Sequence, residues 1–228
     1  MKDVGSWVPF GAVATHPDTP VADPDGGTPR RIYRRNISAG LIHGVFFQAA
    51  DAFSNINTVL PAFVATLTAS TIAVGLMAAV QGVGEVLPQM FTAYRIEDRP
   101  YQKPILLWII TLRWVSWAFI AVVTVLFALE DPLLVLALLI GLFSAFSLAG
   151  GVGTVVYADV FAKAIPARRR GRFTGLKQLL GYGAAIAAGW IVAWILSQPA
   201  RFPYPTNYAL NFGLASAALL VAFVGFAL

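Results

Sequence analysis

Residues 132–161 read PLLVLALLIGLFSAFSLAGGVGTVVYADVF, and this stretch decides the fold class. Its only charged residue is Asp159, close to its end. About 20 apolar helical residues are enough to cross the ~30 Å hydrocarbon layer of a bilayer. The rest of the chain has the same character, because 58% of its 228 residues are hydrophobic and 12% are charged, against about 25% charged in a soluble domain. The sequence therefore predicts an integral membrane protein in contact with a lipid bilayer.

Six such stretches follow one another, separated by short polar breaks. Transmembrane β-strands would show ten-residue alternation of apolar and polar residues, and these stretches do not alternate in that way. We therefore predict an all-α domain over residues 37–228 with six transmembrane helices, placed at 37–64, 71–94, 104–129, 132–161, 173–196 and 208–228.

Residues 1–36 differ from everything after them. They are rich in Pro, Asp, Gly and Thr and have no periodic apolar pattern, which predicts a mostly disordered tail. They also lack the apolar core and the small-residue cleavage site of a signal peptide.

The basic residues indicate the orientation. Of the 16 Lys and Arg residues, 14 lie in the tail and around the connections after the second and fourth spans. On the other side there is only Arg201, while Arg113 lies within a span. Because cytoplasmic loops carry the excess of Lys and Arg, we expect a multi-pass protein of the cell (inner) membrane with a cytoplasmic N-terminus. We interpret the basic clusters as topology signals and expect no nucleic-acid partner; the alternative is a surface for anionic lipid or nucleic acid.

Two connections carry motifs. Residues 94–103, YRIEDRPYQK, keep the Asp-Arg pair and the terminal base of a G-x-x-x-D-R-x-G-R-R pattern, and residues 166–176, PARRRGRFTGL, match P-x-x-x-R-G-x-x-x-G-L. With six spans, these motifs resemble the amino-terminal half of a major facilitator superfamily transporter. In the fourth span Ser147 and Gly150 stand where many proton-coupled members have Arg and Gln, whereas Gly151 and Gly153 fit the pattern.

The resemblance implies a half built as a 3+3 inverted repeat, with the substrate site between two halves. It also implies a cytoplasmic gate or loop network. The residues that would form this network are Asp98, Arg99, Asp159, Arg170 and Arg172. For Asp159, a solvated helix end is the alternative interpretation.

Polar side chains form one stripe on the first predicted helix. Gln48, Asp51, Asn55 and Thr58 share a face at 100° per residue, with His43 on its flank. Such a face turns toward protein or water rather than lipid. Since the resemblance implies that helices one and four line the central cavity, Asp51, Gln48, Asn55 and His43 become candidates for binding a substrate or ion. The alternative is that they are interhelical hydrogen-bonding groups.

A second intramembrane pair is predicted from spacing. Glu85 lies ten residues before Arg95, and Arg113 lies ten residues after Lys103. Two helices joined by this hairpin would place both side chains at a similar depth, ~15 Å from the surface. Since isolated charges are costly in a membrane, we predict a mainly structural ion pair between Glu85 and Arg113.

These observations favour a secondary active transporter that moves a small molecule by alternating access. The last span ends at Leu228 with no anchoring residue after it, so we expect the first half of a longer chain, or a half that pairs with another copy. The alternative is a non-transporting scaffold or assembly subunit. An enzyme is not expected because H-E-x-x-H and G-x-S-x-G are missing.

The sequence predicts no metal site or cofactor, because it has no cysteine and only two histidines. Substrate, coupling ion and direction stay open.

Overall fold

The computed structural model describes residues 30–96 and 102–227, with the side chains of residues 34–94 and 102–227. This part of the chain is helical throughout, with short connections. Its seven helices are α1 (Arg30–Phe53), α2 (Val59–Leu67), α3 (Thr71–Ile96), α4 (Lys103–Phe127), α5 (Pro132–Ala164), α6 (Ala167–Leu196) and α7 (Thr206–Ala227).

Helices α3 to α7 are long and apolar enough to cross a membrane. They correspond to the second to sixth predicted spans, which confirms an all-α, multi-pass membrane protein. The end of the bundle at which α4 and α6 begin is called the basic end below, because the basic connections lie there.

The first predicted span differs from the prediction. Instead of one helix over residues 37–64, the structure has α1 and α2, separated by Ser54–Thr58. Helix α1 begins at Arg30, so residues 30–36 of the predicted tail are helical, and the rest of that tail lies outside the described residues. Polar residues along α1, among them His43 and Asp51, lower its hydropathy below that of the other spans.

Local chemistry explains the break. The side-chain oxygen of Asn55 accepts hydrogen bonds from the Asn57 backbone N–H at 2.9 Å and from the Thr58 hydroxyl at 3.3 Å. Such side-chain bonds compete with helical backbone bonds. Pro61 has no N–H to donate to the carbonyl of Asn57, so the helical ladder cannot run through the break, whereas Pro is tolerated in the first turn of a new helix.

The major packed pairs of helices are α1 with α6, α3 with α5, α4 with α7, α1 with α7, and α4 with α5. This set is unchanged when the first three spans (α1–α2, α3, α4) are exchanged for the last three (α5, α6, α7). Helices α3 and α4, although consecutive, are not a major packed pair, and α5 packs against both.

Small residues and aromatic rings hold the bundle together. Helices α3 and α5 meet backbone to backbone, because a Cβ on Gly151 would lie 2.5 Å from the backbone oxygen of Glu85 and 2.7 Å from that of Gly84. Elsewhere the buried Trp117 stacks on Phe212, with ring centroids 5.3 Å apart. Close helix approach at glycines is typical of membrane bundles, in which van der Waals packing replaces the hydrophobic effect.

Candidate functional site

A cavity of about 290 Å³ lies between α1, α4, α5 and α6, with one residue of α7 at its wall. We call it the larger cavity. Its polar or charged lining residues are His43, Gln48, Arg113, Thr154, Tyr157, Lys177, Gln178 and Tyr182. Ligand cavities typically start at about 300 Å³, so its volume is that of a site for a small molecule.

Arg113 enters the larger cavity from α4, ten residues and so ~15 Å of rise past the start of that helix. Its guanidinium lies between two aromatic rings, with Cζ 4.7 Å from the centroid of Phe47 and 4.1 Å from that of Phe146. Its Nε is buried and has no hydrogen-bond partner. The guanidinium also packs against α5 at Gly150, where a Cβ would be in ordinary contact at 3.5 Å from the Arg113 Cζ.

Lys177 enters from α6, also ten residues past the start of its helix. Its stem crosses Gly44 of α1, where a Cβ would overlap the side chain. The ammonium donates a hydrogen bond to the Tyr157 hydroxyl at 3.3 Å and lies 4.9 Å from the centroid of that ring. The two cations therefore face the same cavity from different helices.

His43 is buried beside both cations. Its ring packs against Tyr157 and Phe226, with centroids 5.5 Å and 4.5 Å away. Its Nδ1 is buried without a partner. The predicted candidate thus lies at the cavity wall, fixed by aromatic packing.

Gln48 and Asp51, the other candidates on α1, lie at neighbouring sites. Gln48 lines the larger cavity, whereas Asp51 lines an adjoining smaller cavity of about 10 Å³ that Arg113 and Phe47 also line. The Asp51 side chain is exposed in the described chain. Arg113 therefore separates a carboxylate on one side from the larger cavity on the other.

Asn55 and Thr58 do not continue this stripe. Helix α1 ends at Phe53, so both residues belong to the break, and the Asn55 side-chain oxygen is occupied by local hydrogen bonds. Neither residue lines either cavity. Of the four residues of the predicted stripe, only Gln48 and Asp51 lie on α1.

The predicted ion pair between Glu85 and Arg113 is not formed. Both residues are described, and no nitrogen of Arg113 lies within 4.0 Å of a Glu85 carboxylate oxygen; Glu85 instead accepts a hydrogen bond from Gln81 at 3.1 Å. The prediction assumed that two helices joined by a hairpin pack together, but α5 packs against both α3 and α4. Glu85 and Asp51 remain within electrostatic range of Arg113.

Of the five residues of the predicted loop network, three lie within the part of the chain that the structure describes. Asp98 and Arg99 lie outside the described residues. Asp159 forms an ion pair with Lys163 at 2.7 Å along α5, and Arg172 is exposed. Arg170 donates hydrogen bonds to the carbonyls of Ile165 at 3.0 Å and Ala162 at 2.6 Å, where α5 ends.

Several residues of the cavity were not predicted. Lys177 was counted only as a topological charge, although its position inside the predicted span 173–196 was a signal for an intramembrane cation. The contacts of Phe47, Phe146 and Tyr157 with the cations had no sequence signal, because they join different helices and no local pattern encodes contacts between helices.

Comparison with protein-family models, with curated proteins and with solved structures finds no match. Within the described residues, no group of three or more His, Cys, Asp or Glu side chains is placed to hold a metal ion. The cavity and its side chains are therefore the features of the molecule that bear on its function.

Proposed function

We propose that the chain is the six-span half of a secondary transporter, which moves a small solute across the membrane by alternating access. The observation that carries this proposal is the larger cavity, with two cations and several neutral polar groups inside a membrane bundle. Ionisable groups at membrane depth are costly and mark substrate or ion pathways.

The pattern of helix packing supports the same proposal. The major packed pairs are preserved when the first three spans are exchanged for the last three. A 3+3 inverted repeat would preserve the packed pairs in this way, and such repeats occur within each half of major facilitator superfamily transporters, the family that the loop motifs resemble.

The exposure of Asp51 supports the presence of a second six-helix half. It is exposed in the described chain, and exposing a carboxylate to lipid costs about 2.5–3.5 kcal/mol even on the lenient insertion scale. We propose that this face meets water and a second six-helix half, contributed by the same longer chain or by another copy. The membrane would be the cell (inner) membrane, with the basic end cytoplasmic.

The test is the Asp51→Asn variant of the complete transporter, reconstituted in liposomes. Uptake of labelled amino acids, organic acids, sugars and amines is measured against protein-free liposomes, and protein abundance is measured in parallel. We expect normal abundance and lost uptake, because Asn keeps the shape of Asp51 but cannot compensate the charge of Arg113. Glu130→Gln, which removes an exposed carboxylate between α4 and α5, should transport normally.

Two outcomes would contradict the proposal. Full uptake by Asp51→Asn across pH 5 to 8 would show that Asp51 has no part in transport. Normal insertion with no flux of any solute by the unmodified protein would favour the non-transporting scaffold instead.

A further inference from the structure

The larger cavity has a charge of one sign. Both charged residues that line it, Arg113 on α4 and Lys177 on α6, are cations, and no Asp or Glu belongs to its described lining. Asp51 lines only the smaller cavity, on the far side of Arg113. A bound cation would therefore meet two like charges before it met a carboxylate.

The guanidinium of Arg113 has hydrogen-bonding capacity that the described protein does not use. Aromatic rings contact its faces, but no described acceptor receives a hydrogen bond from it, and no described carboxylate lies within ion-pair distance. A guanidinium has five N–H donors in a planar fork that matches carboxylate and phosphate oxygens. Since leaving a buried donor unpaired is costly, the site is suited to an anionic acceptor supplied by a ligand.

Lys177 supplies the second positive charge. Its one hydrogen-bond acceptor in the described protein is the neutral Tyr157 hydroxyl at 3.3 Å, which leaves further ammonium donors for a ligand. Because Gly44 lets its stem lie flat across α1, the charge reaches the cavity at about the depth of Arg113. The two groups line one cavity, Arg113 from α4 and Lys177 from α6.

The remaining lining limits the size and shape of the ligand. A cavity of about 290 Å³ lies at the lower end of the range for ligand sites, which corresponds to a small organic molecule. The rings of Phe47, Tyr157 and Tyr182 present aromatic surface, and Gln48 and Gln178 present neutral polar groups. This combination fits a compact solute with one acidic group and a flat apolar part.

We propose that the larger cavity binds a small organic anion, a carboxylate or phosphate ester, with its acidic group between Arg113 and Lys177 and its apolar part against the aromatic rings. This inference rests on the proposed transport function and names the class of its substrate.

The test uses four probes that share one benzene ring: benzoate, phenyl phosphate, benzamide and benzylammonium. Binding to the full chain in nanodiscs is measured by calorimetry at pH 7, with empty nanodiscs as the blank. We expect an anionic probe to bind at least about tenfold more tightly than the neutral and cationic probes, as losing hydrogen bonds to a charged group implies. Comparing benzoate with phenyl phosphate distinguishes the two anion types.

Variants assign the binding to the cavity. Arg113→Gln and Lys177→Gln should each weaken binding of the preferred anion at least about tenfold. The matched control is Arg201→Gln, because Arg201 also lies over two aromatic rings, Trp194 and Phe202 at 5.2 and 5.5 Å, but is exposed and outside the cavity. If Arg113→Gln does not fold, Lys177→Gln decides the question.

Four results would overturn the inference. Tighter binding of benzylammonium or benzamide would exclude an anion site, and unchanged anion binding in the foldable cavity variants would place the site elsewhere. If no probe binds while the liposome assay detects transport, the anion site fails and the proposed function stands. If there is neither binding nor transport, both fail.

Discussion

Arg170 stabilises the junction of two helices with a single side chain. The last carbonyls of an α-helix have no partner within the helix. Arg170, in the first turn of α6, donates to the carbonyl of Ala162 in the last turn of α5 and to that of Ile165, the residue that follows α5. Its positive charge also lies at the negative end of the α5 dipole. The arginine of the loop motif therefore acts, in this structure, as a C-terminal cap for α5.

We predict that Arg170→Ala lowers the free energy of unfolding by about 1–2 kcal/mol, because both charge-assisted hydrogen bonds are lost. The control is Arg168→Ala, which removes an exposed arginine from the same helical turn. Unfolding in mixed detergent micelles, followed by Trp fluorescence, measures both variants. Equal stability of the two variants would show that the cap contributes nothing.

At the same scale, the sequence could identify which residues of the site are unusual but not what they contact. Asp51 and Arg113 stand out in any apolar span, because ionisable groups in membranes are rare. The aromatic contacts of Arg113 come from α1 and α5, and no local pattern encodes such contacts. The prediction of Glu85 as a partner of Arg113 rests only on their similar depth in the membrane. Depth does not specify the direction in which each side chain leaves its helix.

Helices α3 and α5 show how one glycine allows two spans to touch. Gly151 faces backbone oxygens of α3, and backbone atoms cannot move aside as the end of a flexible side chain can. A side chain at this position must push the two helices apart.

We predict that Gly151→Ala destabilises the protein by about 1–3 kcal/mol, the usual cost of overpacking. Gly141→Ala is the control on the same helix, where an added Cβ meets nothing within 4 Å, and it should be neutral or slightly stabilising because Ala favours helix over Gly. The same micelle unfolding assay compares them. Unchanged stability of Gly151→Ala would contradict the close backbone contact.

Hydropathy predicted the long helices well because it is a local property. The spans from the second to the sixth agree with α3 to α7 to within several residues at most ends. The break in the first span reads SNINT, and its polar residues Asn55 and Thr58 also fit the spacing of a helical stripe, so the periodicity predicts one continuous helix. Asn55 and Pro61 were the available local signals, and the Asn55 hydrogen bonds show how the first of them acts.

At the scale of the whole molecule, the cavity results from the order in which helices pack. Its wall combines α1 with α4, α5 and α6, and α1 is separated from those three helices in the sequence by α2 and α3. The consecutive helices α3 and α4, in contrast, do not pack together, and α5 packs against both. This arrangement is non-local, so the sequence could predict the number of spans but not which side chains share a cavity. It also brings Lys177 and Arg113 to the same cavity.

The larger cavity can serve as a solute site inside the membrane only if water fills it. The most direct measurement is the rate at which a water-soluble maleimide reacts with Thr154→Cys in membranes, compared with Leu112→Cys. Thr154 lines the cavity, whereas Leu112 is an exposed apolar residue of α4 outside it, and the chain has no cysteine of its own. Because maleimide reacts with hydrated thiolate, we predict that Thr154→Cys reacts and Leu112→Cys does not. A Thr154→Cys variant as unreactive as Leu112→Cys would contradict a water-filled cavity.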